Sequence, residues 1–162
     1  MPTARHPHEV AKRIQSILEF NKVALFTAHP LVLVQGITPV MYGDQKRLPI
    51  TPMVCVEAGE LTKTLVTSGN TTLNEFRTYI LVYHSEVQDI QTNKLESEQL
   101  GAAVADLLED NLQLVKPDTL DDPLVIHGFV TNADPGYSFK DNTLYAAVRL
   151  TWQGKSKTRL GA

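Results

Sequence analysis

At 162 residues the chain is long enough for one domain with a sizeable buried core. Its 43% hydrophobic and 20% charged content is that of an ordinary globular protein, which argues against a disordered or fibrous chain. A net charge of −3 argues against an obligate nucleic-acid binder, which carries a basic excess, while leaving weak local contact with DNA open.

The single cysteine, Cys55, has no partner for an intrachain disulfide and fits a reducing compartment. The opening residues lack an apolar run of the signal-peptide kind. No stretch approaches the ~18 apolar residues of a spanning helix, so no membrane role is expected.

In chain order, Pro7 and Glu9 open a predicted helix over residues 7–21, with Val10, Ile14, Ile17 and Leu18 as its apolar stripe. Residues 23–27 and 31–34 read as short strands. Residues 35–52 hold three prolines, two glycines and the polar cluster Asp44, Gln45, Lys46, Arg47, which predicts a long loop or hairpin arm with its tip at Gly43-Asp44. Ile37, Val40, Met41, Tyr42, Leu48 and Ile50 are too many apolar residues for a solvated loop, so the arm is expected to lie against something. Residues 53–57 read as a strand ended by Gly59, and residues 61–67 as another.

Residues 71–84, TTLNEFRTYILVYH, are the strongest signal in the chain: a long strand rich in β-branched and aromatic residues. Phe76, Thr78, Ile80 and Val82 share one face; Arg77, Tyr79, Leu81 and Tyr83 share the other, which reads as half covered, with a second copy of the protein as the candidate cover. A second helix is predicted over 93–114, capped by Asn93 or Ser97, with Leu100, Ala103, Val104, Leu107, Leu108 and Leu112 as its stripe. Residues 124–131 and 143–152 alternate as strands around a long connection, 132–142, in which Asp134-Pro135-Gly136 reads as the turn. Residues 153–162 read as a polar basic tail. Clustered strands with a helix before and a helix between predict an α+β fold, a mainly antiparallel sheet with two helices packed on it.

No residue pattern specifies a catalytic site, a cofactor or a metal. The histidines are scattered, no Cys-x-x-Cys or His-Glu-x-x-His spacing occurs, and Asp118, Asp121 and Asp122 lack the ligand alternation of a calcium loop. Cys55 sits among Met53, Val54 and Val56, where an inert thiol is expected. Surface candidates are Tyr137 and Phe139, which either meet a partner or fold back on the sheet. Lys155, Lys157 and Arg159 either touch phosphate or an acidic partner, or only solubilise the tail.

The stretches NEFRTYILVYHSE (74–86) and GFVTNADPGYSFKDNTLYAAVRLTWQGKSKTRL (128–160) resemble small tailed-bacteriophage tail-terminator or head–tail joining proteins. The resemblance implies a non-enzymatic virion protein of the tail or neck, made in the host cytoplasm. It implies a homo-oligomeric ring, commonly a hexamer, at the head-proximal end of the tail. That ring stops tail-tube polymerisation and docks to the connector or stopper, while DNA crosses its lumen without sequence-specific binding. The resemblance transfers no site residue. The interface expectation therefore rests on Ile37, Val40, Met41, Tyr42, Lys46, Arg47 and Leu48 of the arm, with Tyr137, Phe139, Lys155, Lys157 and Arg159. Lys46 and Arg47 are expected to meet acidic groups among Asp106, Glu109, Asp110, Asp118, Asp121 and Asp122. Removing residues 37–48 is expected to leave a folded subunit. The alternatives are a neck adaptor, stopper or other phage structural component such as a baseplate-type protein, or a small enzyme whose pocket gathers His84, His127 or Cys55 with carboxylates.

Overall fold

A computed structural model describes residues 3–27, 40–48, 51–66, 69–86, 90–119 and 122–161. The strand read from residues 71–84 is its centre. This element, β3 (Thr71–Glu86), pairs antiparallel on one side with β2 (Met53–Val66) and on the other with β5 (Thr143–Arg159). β4 (His127–Lys140) pairs antiparallel with β5, and β1 (Met41–Tyr42) pairs parallel with the start of β2. The sheet order is β1-β2-β3-β5-β4, and with α1 (Pro7–Thr27) and α2 (Ile90–Glu109) it makes the expected α+β fold.

The two-residue period of β3 sorts its side chains as the sequence indicates. Phe76, Thr78, Ile80 and Val82 are buried on the helix side, in one core with Val10, Ile14 and Leu18 of α1 and Leu100, Val104 and Leu108 of α2. Leu107 is only partly buried, and Leu112 lies beyond the end of α2 and is exposed. On the opposite face a smaller cluster of Leu48, Met53, Cys55 and Tyr83 is covered by residues 43–48.

Several boundaries differ from the sequence reading. α1 continues through residues 23–27, so the apolar run there is helical; a short apolar run does not distinguish helix from strand by itself. α2 begins at Ile90 and ends at Glu109, so neither Asn93 nor Ser97 is its cap. β2 is one strand carried past Gly59 by a register shift between Ala58 and Leu61. Asp134-Pro135-Gly136 lies inside β4, where an edge strand tolerates a proline. The turn is Asp141-Asn142, both at positive φ (48° and 62°), the left-handed pair that a two-residue hairpin needs. Residues 153–159 are no tail: they complete β5 against β3, with Gly154 and Ser156 buried.

Polar residues at that end of the sheet are buried because they hold the N-terminal segment. Asn74 Nδ2 donates to Ala4 O (3.2 Å) and Thr158 Oγ1 (2.8 Å), and Ser156 Oγ donates to Ala4 O (2.5 Å). Trp152, fully buried, needs the neighbouring glycines on both strands: a Cβ at Gly128 or Gly154 would stand 2.0 or 2.2 Å from its ring.

Candidate functional site

The expected arm is drawn into the fold where it is described. Val40 is a core residue, held by Glu19 Oε2, which accepts from its N–H (2.7 Å), and by Gln15, which donates to its carbonyl (2.9 Å). β1 then pairs Met41 with Cys55 and Tyr42 with Val56. Met41 packs on the smaller cluster, and Tyr42 stays exposed under Lys12 Nζ at 5.8 Å. Leu48 is buried. Removing residues 37–48, expected to leave a folded subunit, would strip Val40 and Leu48 from the two clusters and so lower its stability. Ile37 and Ile50, like the short strand read over 31–34, lie outside the described residues.

Residues 43–48 are latched to the end of the β4–β5 hairpin. The buried Tyr83 hydroxyl donates to Asp44 Oδ1 at 2.7 Å. Lys140 Nζ donates to Asp44 Oδ2 and to Gln45 O, each at 2.7 Å, and stands 5.1 Å from the Tyr83 ring centre. Burial and the neighbouring Asp44 push the Tyr83 phenol well above its usual range. Arg47 meets Asp141 of the hairpin turn at 3.4 Å rather than the acids of α2, and Lys46 is exposed. Asp121, one of the acids expected to face this pair, lies outside the described residues. The latch lies over Cys55, whose thiol burial pushes up to about 11.

The rest of that sheet face is open and polar. A trough of about 560 Å3 runs between Glu60, Glu75, Arg77, Phe129, Gln153 and Lys155. Its charges are matched across strands: Lys155 with Glu75 at 2.9 Å, and Arg77 with Glu60 at 3.9 Å. The Tyr79 hydroxyl donates to Glu60 (3.0 Å), and Arg149 lies 4.2 Å over the Tyr79 ring. The Glu60 carboxyl is held below the usual carboxylate range by its own backbone N–H and by Tyr79. Lys157 and Arg159 are exposed on the same strand as Lys155, so this trio belongs to a sheet and not to a flexible end.

Tyr137 and Phe139 do not fold back. They stand exposed on the helix side of the hairpin end, Tyr137 opposite Ala146 and Phe139 opposite Leu144, itself exposed. Two further exposed residues, Phe20 and Val23 on α1, were not singled out from the sequence. Their signal was available, since Phe20 falls off the stripe of Val10, Ile14 and Ile17. The Asp44–Lys140 contact had no local signal, because the pair is 96 residues apart.

Of the groups the enzyme alternative names, His127 lines the trough with Glu60 and Glu75, while His84 and Cys55 lie elsewhere. His84 is buried on the helix side, 3.5 Å from Glu96 Oε2. Cys55 is on the opposite face, level with Leu81, and His127 is level with Lys155 at the far end of β5. Among the described residues no three His, Cys, Asp or Glu side chains converge as metal ligands, and no helix is long and apolar enough to cross a membrane. No protein-family model matches the chain, and no curated protein matches its sequence significantly.

Proposed function

We propose that the chain is a structural subunit of a tailed-phage virion, a tail terminator that assembles as a ring between tail and head connector. One observation carries the reading. The two stretches that resemble such proteins are far apart in sequence, yet they form one structural unit. Residues 74–86 are most of β3, and residues 128–160 are the β4–β5 hairpin, paired with β3 from Thr71↔Arg159 to Glu86↔Tyr145. The resemblance thus covers one contiguous ladder and not scattered segments, which supports the reading.

The open sheet face supports the same reading. In the trough, Lys155 and Arg77 already face carboxylates and offer little free charge to phosphate, which suits a passage that DNA crosses without being gripped, while Lys157 and Arg159 further along β5 stay exposed. The protein itself then needs no catalytic group, cofactor or metal.

Electron microscopy of particles assembled without the protein tests the reading. The expected result is tails of irregular, excessive length that fail to join heads, with normal length restored by supplying the protein. Tails of normal length that merely fail to join heads would make it a neck adaptor instead. Normal, joined particles would overturn both.

A further inference from the structure

The trough on the open sheet face is built from two rows of side chains. One row crosses the strands through Thr62, Glu75, Lys155 and His127, which stand level with one another. The next row on the same face is Arg77, Gln153 and Phe129. Rows two residues apart along a strand lie roughly 7 Å from each other. Phe76 and Gly154 fall between them, and Phe76 turns its ring into the helix-side core, so backbone floors the trough there. A second hollow of about 460 Å3 adjoins the first, with Glu60 lining both, and continues past Tyr79 and Arg149 to Asp44. The concavity is therefore long rather than round.

The lining groups hold one another in place. Glu60 accepts from the Tyr79 hydroxyl and faces Arg77. Gln153, with its amide oxygen turned to Arg77, accepts from Nη2 (3.2 Å) and Nε (3.3 Å). Lys155 is fixed on Glu75 at 2.9 Å. Each cation here has its carboxylate, so neither an anion nor a cation finds an unmatched counter-charge among these four. The pairs still keep hydrogen-bonding capacity, because a carboxylate accepts about four bonds, an ammonium donates three and a guanidinium five. Such a lining suits a group that donates and accepts at one atom, as a hydroxyl does. Phe129 adds an apolar surface: its ring is 47% exposed although most of the groups around it are polar.

We propose that this trough is a binding site for a neutral oligosaccharide, whose hydroxyls bridge the ion-paired groups and Gln153 while the C–H face of one sugar ring packs on Phe129. Neighbouring ring hydroxyls match the forked ends of Glu75, Arg77 and Gln153 two at a time. The exposed aromatic ring supplies the apolar contact that orients the sugar. A phosphate or a zwitterion would first have to part Lys155 from Glu75, whereas a sugar leaves both pairs closed. The length of the concavity takes a chain of sugars rather than one. The site belongs to the single chain; it goes beyond the virion role and does not depend on it.

The test is an amide NMR titration of the full chain with maltohexaose, cellohexaose, laminarihexaose and chitohexaose in turn, with inorganic phosphate and glycylglycine as charged controls. At least one of the sugars is expected to bind saturably in the millimolar range, with shifts gathered on residues 75–77, 127–129 and 153–155. Phe129→Ala is expected to weaken that binding roughly tenfold, as removal of a stacking ring does, and Gln153→Ala to weaken it as well. Should Phe129→Ala lower the thermal midpoint, Phe129→Leu replaces it, keeping apolar bulk without the flat ring. No shift with any of the sugars would overturn the proposal and leave the trough a solvated sheet face. Saturable shifts confined to other residues, or unaltered by either substitution, would overturn it too. Tighter binding of phosphate or glycylglycine at these residues would also overturn it, because the ion pairs would then be opening for a charged ligand. None of these outcomes bears on tail length, so the virion role is judged separately.

Discussion

Thr78 and Trp152 face each other across β3 and β5, both fully buried, and neither the Thr78 hydroxyl nor the Trp152 indole N–H has a hydrogen-bond partner among the described residues. An unsatisfied buried hydroxyl costs about 1–3 kcal/mol, and an isosteric apolar replacement removes that cost. Thr78→Val is therefore expected to be neutral or to stabilise by up to ~1 kcal/mol in a denaturant titration; a loss beyond that would mean that the hydroxyl has a partner. Gly154→Ala should act in the opposite sense, because its methyl group would collide with the Trp152 ring, and overpacking of this kind costs about 1–3 kcal/mol. His84 supplies a pH dependence. Burial lowers its pKa below the ordinary 6.5, and Glu96 only partly opposes that. A depressed folded-state pKa means stability that is complete above the unfolded value and is lost as pH falls below it. Stability measured from pH 8 downward should begin to fall near pH 6.5, and His84→Gln should remove that part of the slope.

At the scale of elements, the helix stripes and the central strand were legible in the sequence because their periodicity is a local signal. The β4–β5 hairpin was legible as a pair of strands, but its turn and its full length were not. Asp134-Pro135-Gly136 has the composition of a turn, but thirteen registered pairs with β5 override local preference, and the turn falls to Asp141-Asn142. Residues 153–159 look solvated because they are polar; they are strand because Ser156 and Thr158 hydrogen-bond with Asn74 and Ala4. Residues 35–52 read as an arm that lies against something, a neighbouring subunit in a ring; of the described part, Val40 and Leu48 are covered and Tyr42 is exposed. The cover is this same chain, through Val40, Leu48 and the Asp44 latch, and that depends on partners up to 96 residues away. Of the surface candidates, Tyr137 and Phe139 are exposed as one reading expected, whereas Lys155 is already paired with Glu75. Leu108→Ala should cost about 2–5 kcal/mol as a buried truncation, and Leu107→Ala clearly less. Asp44→Ala should loosen the latch. The expected readout is a rate of Cys55 labelling by a thiol reagent at pH 8 raised at least tenfold, with faster hydrogen exchange over residues 43–48. An unchanged labelling rate would show that the latch does not guard the thiol.

For the whole molecule, an asymmetry between the two sheet faces links structure to the proposed role. One sheet face is closed by two helices, and the other is polar, with Lys155 and Arg77 paired to carboxylates and Lys157 and Arg159 exposed. Under the proposed role, the polar face is the surface that would line a lumen. The measurement that tests the central claim most directly is the position of the chain in intact particles, read by gold labelling of an epitope placed at the exposed end of β5. The account predicts a single cluster of label at the joint between head and tail. Label spread along the tail shaft, confined to the distal end, or missing from purified particles would contradict it.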